Sequence, residues 1–295
     1  MRRPDRGDHL TRSLGGSTPV AGGRDLHLPG TSLRLAATRW AGTGTPILLL
    51  HGLASQRRFW NLVVPHLVGS PLCAVDQRGH GDSDKPDDGY DLATVAADAA
   101  TALDALGWSR AVVAGHSWGA AVAATLAADH PERVLAVVAI DGGLGSPLEG
   151  GDDRATVRER LAPPRIAEPP DRLRQMLAEH HDTWSPEVED AVLPIFEVHD
   201  DGLARAKLTY DRHLATLDGL LDYDAPTVLR RVAAPFWVVT AALDQGYERA
   251  LELLPRPRGI RLSGAHHDVP LQWPALVAGV VRAAADEAGA AEGRA

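Results

Sequence analysis

Six short, near-continuous apolar runs constrain this chain more than any other feature: Pro46 to Leu50, Leu72 to Val75, Ala111 to Ala114, Val134 to Ile140, Phe236 to Thr240 and Ile260 to Leu262. A strand that is apolar on both faces has to be covered on both, which is the condition of a parallel sheet wrapped by helices. The intervening sequence supplies the helices. Leu92, Val95, Ala96, Ala99, Leu103 and Leu106 recur at helical spacing, and Gly107 can end that helix. An alanine-rich stretch after Ser117 predicts a helix to about residue 129, and a last one spans about 274 to 288. The expectation is an α/β fold, a mostly parallel central sheet with helices on both faces.

The alternation breaks between about Leu144 and Val232. Helical patterns are read at about 154–161, 171–182, 185–198 and 203–222, with no convincing strand, so residues 144–232 are expected to form an inserted helical cap. The core then comprises residues 24–143 and 233–295. It opens on a hairpin around Pro29-Gly30. Residues 1–23, rich in Gly, Arg, Asp, Ser and Pro without periodicity, are expected to be a flexible tail.

Composition excludes several classes of function. The formal net charge of -9 over 295 residues argues against a protein built to grip nucleic acid or an anionic bilayer, since both need a basic surface. Cys73, the one cysteine, cannot form an intrachain disulfide. The charged start Met1-Arg2-Arg3-Pro4-Asp5 lacks the apolar core of a signal peptide, and no apolar run reaches 18 residues. A soluble cytoplasmic protein acting on a small molecule is expected, as monomer or homodimer.

Chemistry concentrates in Gly115-His116-Ser117-Trp118-Gly119, which lies between an apolar run and a helix. A serine at the tip of a sharp strand-to-helix turn is exposed, and glycines on both sides relieve the crowding where strand and helix nearly touch. The helix N-terminus favours the negative charge that forms when such a serine attacks a carbonyl. With this elbow the chain resembles the α/β-hydrolase fold superfamily over residues 24–288. Two further stretches carry the likeness: Leu48-Leu49-Leu50-His51-Gly52-Leu53-Ala54-Ser55 is similar to the family's His-Gly loop, and Asp76-Gln77-Arg78-Gly79-His80-Gly81-Asp82-Ser83 to its D-x-R-G-x-G-x-S turn.

A serine hydroxyl needs a positioned imidazole to take its proton. The resemblance implies His267, which follows the last strand and precedes Pro274 by the family's seven positions; its neighbour His266 is the alternative. It implies structural roles for the turn histidines His51, His80 and His116. For the carboxylate that orients the imidazole, the family's usual position points to Asp244 after the Phe236 strand, which also gives the chain order Ser, Asp, His. Asp141, ending the Val134 strand, is the position some members use. Backbone N–H groups of Leu53 and Trp118 are implied as the oxyanion hole.

Trp60 from the loop after the third strand and Trp184 and His213 from the cap are candidate pocket residues. A serine where haloalkane dehalogenases and epoxide hydrolases of this fold carry a carboxylate favours an acyl-enzyme on an ester, lactone or related carbonyl bond. Carbon–carbon bond hydrolysis or acyl transfer on the same triad stays open, as does a ligand sensor with little turnover. No cofactor is called for: the dinucleotide fingerprint G-x-G-x-x-G after a first strand is missing. His180-His181-Asp182 and His266-His267-Asp268 contain metal-ligand types, yet neither has zinc-site spacing, and no metal is expected.

Overall fold

The structure, a computed structural model, describes residues 12–14, 20, 22–181, 183–241, 245–254 and 256–294. Its strands are β1 (Arg12–Ser13), β2 (Gly23–Pro29), β3 (Arg34–Trp40), β4 (Ile47–Leu50), β5 (Leu72–Val75), β6 (Ala111–His116), β7 (Val134–Ile140), β8 (Phe196–Val198), β9 (Ala204–Ala206), β10 (Phe236–Thr240) and β11 (Pro257–Arg261). Eight of them form one sheet in the order β11-β10-β7-β6-β4-β5-β3-β2. The pairs from β5 to β11 are parallel, whereas β2 pairs antiparallel with β3 and β3 with β5. The first five predicted apolar runs are β4, β5, β6, β7 and β10, whereas the last, expected over 260–262, shares only Ile260 and Arg261 with β11.

Both faces of the sheet are covered. Helices α1 (Leu92–Ala105) and α2 (Trp118–Asp129) pack on one face through Leu103, Ala123 and Leu126. The opposite face is covered by the 3-10 turn Arg57–Leu62 and by the late helix Pro274–Glu292, whose Val277, Val281 and Ala284 are buried. Helix α2 is buried on every side as far as Ala128, which its run of small residues allows. At about 25 cal/mol per Å² of apolar surface, covering both faces is the main favourable term of this fold.

Between β7 and β10 the chain leaves the sheet. It forms α3 (Arg154–Arg160), α4 (Pro170–His180), α5 (Pro186–Val192) and α6 (Tyr210–Leu221). The strands β8 and β9 were not expected there: the pattern read as one helix over 185–198 divides into α5, a 3-10 turn and β8, and that over 203–222 into β9 and α6. The expected tail is also corrected. Arg12–Ser13 pairs antiparallel with Glu197–Val198, and Leu14 is buried against Leu173, Leu193 and Phe196. Apolar burial holds this stretch despite its polar composition; the remainder of the expected tail lies largely outside the described residues.

Candidate active site

Strand β6 delivers Ser117 at its tip with φ 52 and ψ -120, a conformation rare for a residue with a side chain. The neighbours make it tenable. A Cβ on Gly115 would overlap the Gly119 carbonyl, and one on Gly119 the carbonyls of Leu50 and His51. Ser117 N–H donates to Ile140 O at 2.8 Å, tying the elbow to β7.

The serine and one imidazole meet as predicted: Ser117 Oγ lies 2.9 Å from His267 Nε2. His266 is exposed and its backbone N–H donates to Gln272 Oε1 at 2.8 Å, while the imidazole on Ser117 is that of His267. The carboxylate is Asp141, not the expected Asp244. Asp141 Oδ2 accepts from His267 Nδ1–H at 2.6 Å, and its Oδ1 accepts from Ala241 N–H at 2.7 Å. Asp244 lies outside the described residues, and the only Nδ1 it was expected to hold is occupied. Asp141 is brought there by the end of β7, which neighbours β6 and whose Ile140 O accepts from Ser117 N–H. Asp141 itself has φ 47, and a Cβ on the following Gly142 would overlap the Ser117 backbone.

Electrostatics sharpen this arrangement. Burial works against ionising Asp141, but the hydrogen bonds from His267 and from Ala241 N–H outweigh it and hold the carboxyl below its ordinary range. The same Asp141 bond raises the pKa of His267 above the usual histidine value. Such an imidazole is a stronger base toward Ser117 while remaining in its correct tautomer.

The loop that carries Leu53 is held by histidines that the sequence suggested were structural. His51 Nδ1–H donates to Gly52 O at 2.7 Å while its Nε2 accepts from Gln77 N–H at 3.0 Å. His80 Nδ1–H donates to Arg78 O at 2.8 Å, and its Nε2 accepts from Ala54 N–H at 3.3 Å, fixing the loop that carries Leu53. Desolvation lowers their pKa values to about 4 and about 3, so both are neutral and can accept. Ala54, at φ 60, is the third residue with a side chain in the left-handed region, beside Ser117 and Asp141. Trp118 N–H is the first of α2, among the donors a helix leaves without an internal acceptor. His116 has a role that the motif did not reveal: its Nε2–H donates to His267 O at 2.8 Å, and its ring stacks on Phe59 with centroids 4.8 Å apart.

A cavity of about 220 Å³ opens over the serine, lined by Gly52, Leu53, Phe59, Ser117 and His267 from the core and by Leu177, His181, Val192 and Ile195 from the cap. The candidate pocket residues divide. Trp60 is fully buried in the core cluster that also contains Val63, Leu67 and Val277, and does not line the cavity. Trp184 packs against that same core and contacts the His181 ring at 5.6 Å, leaving His181 as the cap aromatic at the serine. His213 lines a second, adjoining cavity. Phe59, which like Trp60 lies in the loop after the third strand and was a candidate of the sequence, does reach the cavity, whereas His181 was missed because helical spacing does not tell which side faces a cleft.

Among the described residues no group of three or more His, Cys, Asp and Glu side chains is placed to hold a metal ion, and no helix is long and apolar enough to cross a membrane.

Comparison with known proteins agrees with this fold. A family model described as the alpha/beta hydrolase fold matches residues 45–185. The lipase LipV of Mycobacterium tuberculosis is 32% identical over 251 residues, which cover 80% of this chain and 91% of that protein. A soluble epoxide hydrolase of Corynebacterium sp. is 38% identical over 102 residues, a match spanning 34% of this chain and only 36% of that enzyme. In structure, E-2-(acetamidomethylene)succinate hydrolase superposes with a TM-score of 0.77 at 24% identity, covering 90% of this chain and 99% of that one.

Proposed function

The chain belongs to the α/β-hydrolase fold family, and from that membership and its site we propose that it is a serine hydrolase cleaving an ester, lactone or related carbonyl bond of a small organic molecule. The observation that carries this reading is the continuous chain of hydrogen bonds from Ser117 Oγ through His267 to Asp141. His267 Nε2 takes the hydroxyl proton as Ser117 Oγ attacks the carbonyl, and Asp141 stabilises the imidazolium that results. The N–H groups of Leu53 and Trp118 receive the oxyanion. His267 then protonates the leaving group, and water repeats the sequence on the acyl-enzyme to free the acid and restore the serine.

Ser117 supports acyl chemistry rather than the carboxylate attack of the epoxide hydrolases, whose similarity here covers about a third of the chain. The small cleft supports a compact group at the scissile carbonyl. A panel of activated esters and lactones tests the proposal: turnover by the wild type, a stoichiometric burst showing the acyl-enzyme, and their loss in Ser117→Ala are expected. Equal activity in both proteins would remove the serine from the reaction.

A further inference from the structure

Beside the cleft over Ser117 lies a second cavity of about 470 Å³, and the two share Ala54, Ser55 and Ile195 in their walls. Much of its lining is apolar, including Pro163, Ile166, Phe196 and Leu208, yet it is also ringed by basic side chains. Most of these have their charge balanced. Lys207 Nζ donates to Asp82 at 2.6 Å, Arg205 holds Asp201 through bonds of 2.6 and 2.8 Å, and His199 lies 3.6 Å from Glu197.

Arg165 differs. Its guanidinium rests on the face of Tyr210, 3.8 Å from the ring centroid, and it pairs with no carboxylate among the described residues. Stacking leaves the edge of the guanidinium fork free for a planar anion, which it suits better than any other side chain. A second polar group bears on the same space. His213, one helical turn beyond Tyr210, is 7% exposed, and its Nε2 is buried without a partner. A buried polar atom left unpaired is unfavourable, a cost that a polar ligand or the water it carries would remove.

We propose that this cavity holds a carboxylate-bearing part of the substrate remote from the scissile carbonyl, with Arg165 binding the carboxylate and the apolar walls covering the chain between. The inference rests on the hydrolase reading and narrows it to esters or lactones that carry a free acid. Arg165 is a specificity-determining residue in this account and takes no part in bond cleavage.

The test compares kcat/KM for a neutral ester, p-nitrophenyl hexanoate, with two acids: the mono-p-nitrophenyl ester of adipic acid, charged on the acyl side, and 4-(hexanoyloxy)benzoate, charged on the alcohol side. At least one acid is expected to exceed the neutral ester about tenfold or more, and Arg165→Gln to remove that ratio, as loss of a charge-assisted pair implies. No preference for either acid, or a preference that survives the substitution, would overturn the proposal. Calorimetric titration of adipate into wild type and Arg165→Gln is read independently of turnover. A dissociation constant weakened about tenfold or more by the substitution supports the cavity even if no ester is cleaved; failure then falls on the hydrolase reading alone. Equal affinity in the two proteins, or none in the wild type, overturns the inference.

Discussion

At the scale of residues, the acid of the proposed triad has the largest consequence. Asp141→Asn removes the charge that stabilises the His267 imidazolium, and kcat is expected to fall about 10⁴-fold, while Asp244→Asn should change it by less than about threefold. A reversed order would return the role to Asp244. The pH profile gives a second readout with a definite sign. Asp141 raises the pKa of His267, and only the neutral imidazole accepts the serine proton, so kcat/KM should fall as pH drops through a midpoint above the ordinary histidine value. Without Asp141 that acid limb moves to lower pH while the plateau falls. Ser117 and His267 were legible in the sequence because each sits in a local signature: glycines flank the serine, and Pro274 follows the histidine at the family's spacing. The acid was not, since Asp141 and Asp244 both follow apolar runs of the sequence and only the folded structure brings Asp141 onto His267. The one local clue was Gly142, whose missing Cβ makes room for the serine backbone.

Elements explain how the residues are held. The elbow is a packing of β6, α2 and the end of β7 in which backbone touches backbone, so small changes act directly on the nucleophile. Gly142→Ala would push against the Ser117 backbone, and activity is expected to fall about a hundredfold, since displacement of a reacting group by about 1 Å costs that much. Circular dichroism and the thermal midpoint would separate this from unfolding: the loss of rate should persist well below the midpoint. The cap is anchored by a different device. Lys207, between β9 and α6, donates to Asp82 of the core, and Gln56 Nε2 donates to Ala191 O at 3.0 Å in α5. Lys207→Met leaves Asp82 its bond from Arg57 at 3.0 Å, so the loss in stability should be only about 1 kcal/mol. Cap opening should rise all the same, read as faster proteolysis within 163–209 at an unchanged core midpoint. The core elements were legible because each apolar run or helical period is long enough to show. The cap strands were not: three residues cannot display alternation, and β8 exists because β1 and β9 supply its partners.

For the whole molecule, the same histidines that shape the site set its response to acid. His51, His80 and His116 are buried, and desolvation lowers their pKa values to about 4, about 3 and about 4. In the unfolded chain each titrates near the ordinary value of about 6.5. Between those values the unfolded state binds more protons than the folded one, so stability rises with pH across this window and is lost as pH falls through it. Each histidine costs roughly 1.4 kcal/mol per pH unit below 6.5 until its folded pKa is reached. Three acting together at pH 5 approach the whole stability of a typical domain, about 5–15 kcal/mol. The carboxylates do not offset this. Asp82, despite its burial, is held at about 2 by Lys207 and Arg57, so it adds stability that survives until well below this window. A thermal midpoint that is level near neutrality and falls steeply between pH 6 and 4.5, with an uptake of about three protons on unfolding, is therefore expected. His80→Asn should lower the midpoint at pH 7, because it removes the acceptor for Ala54 N–H, yet flatten its dependence on acid by about one proton. A midpoint that stays level to pH 4.5 in the wild type would mean that these rings are not held neutral, and that the loop carrying Leu53 is not fixed by a neutral His80 accepting from Ala54 N–H.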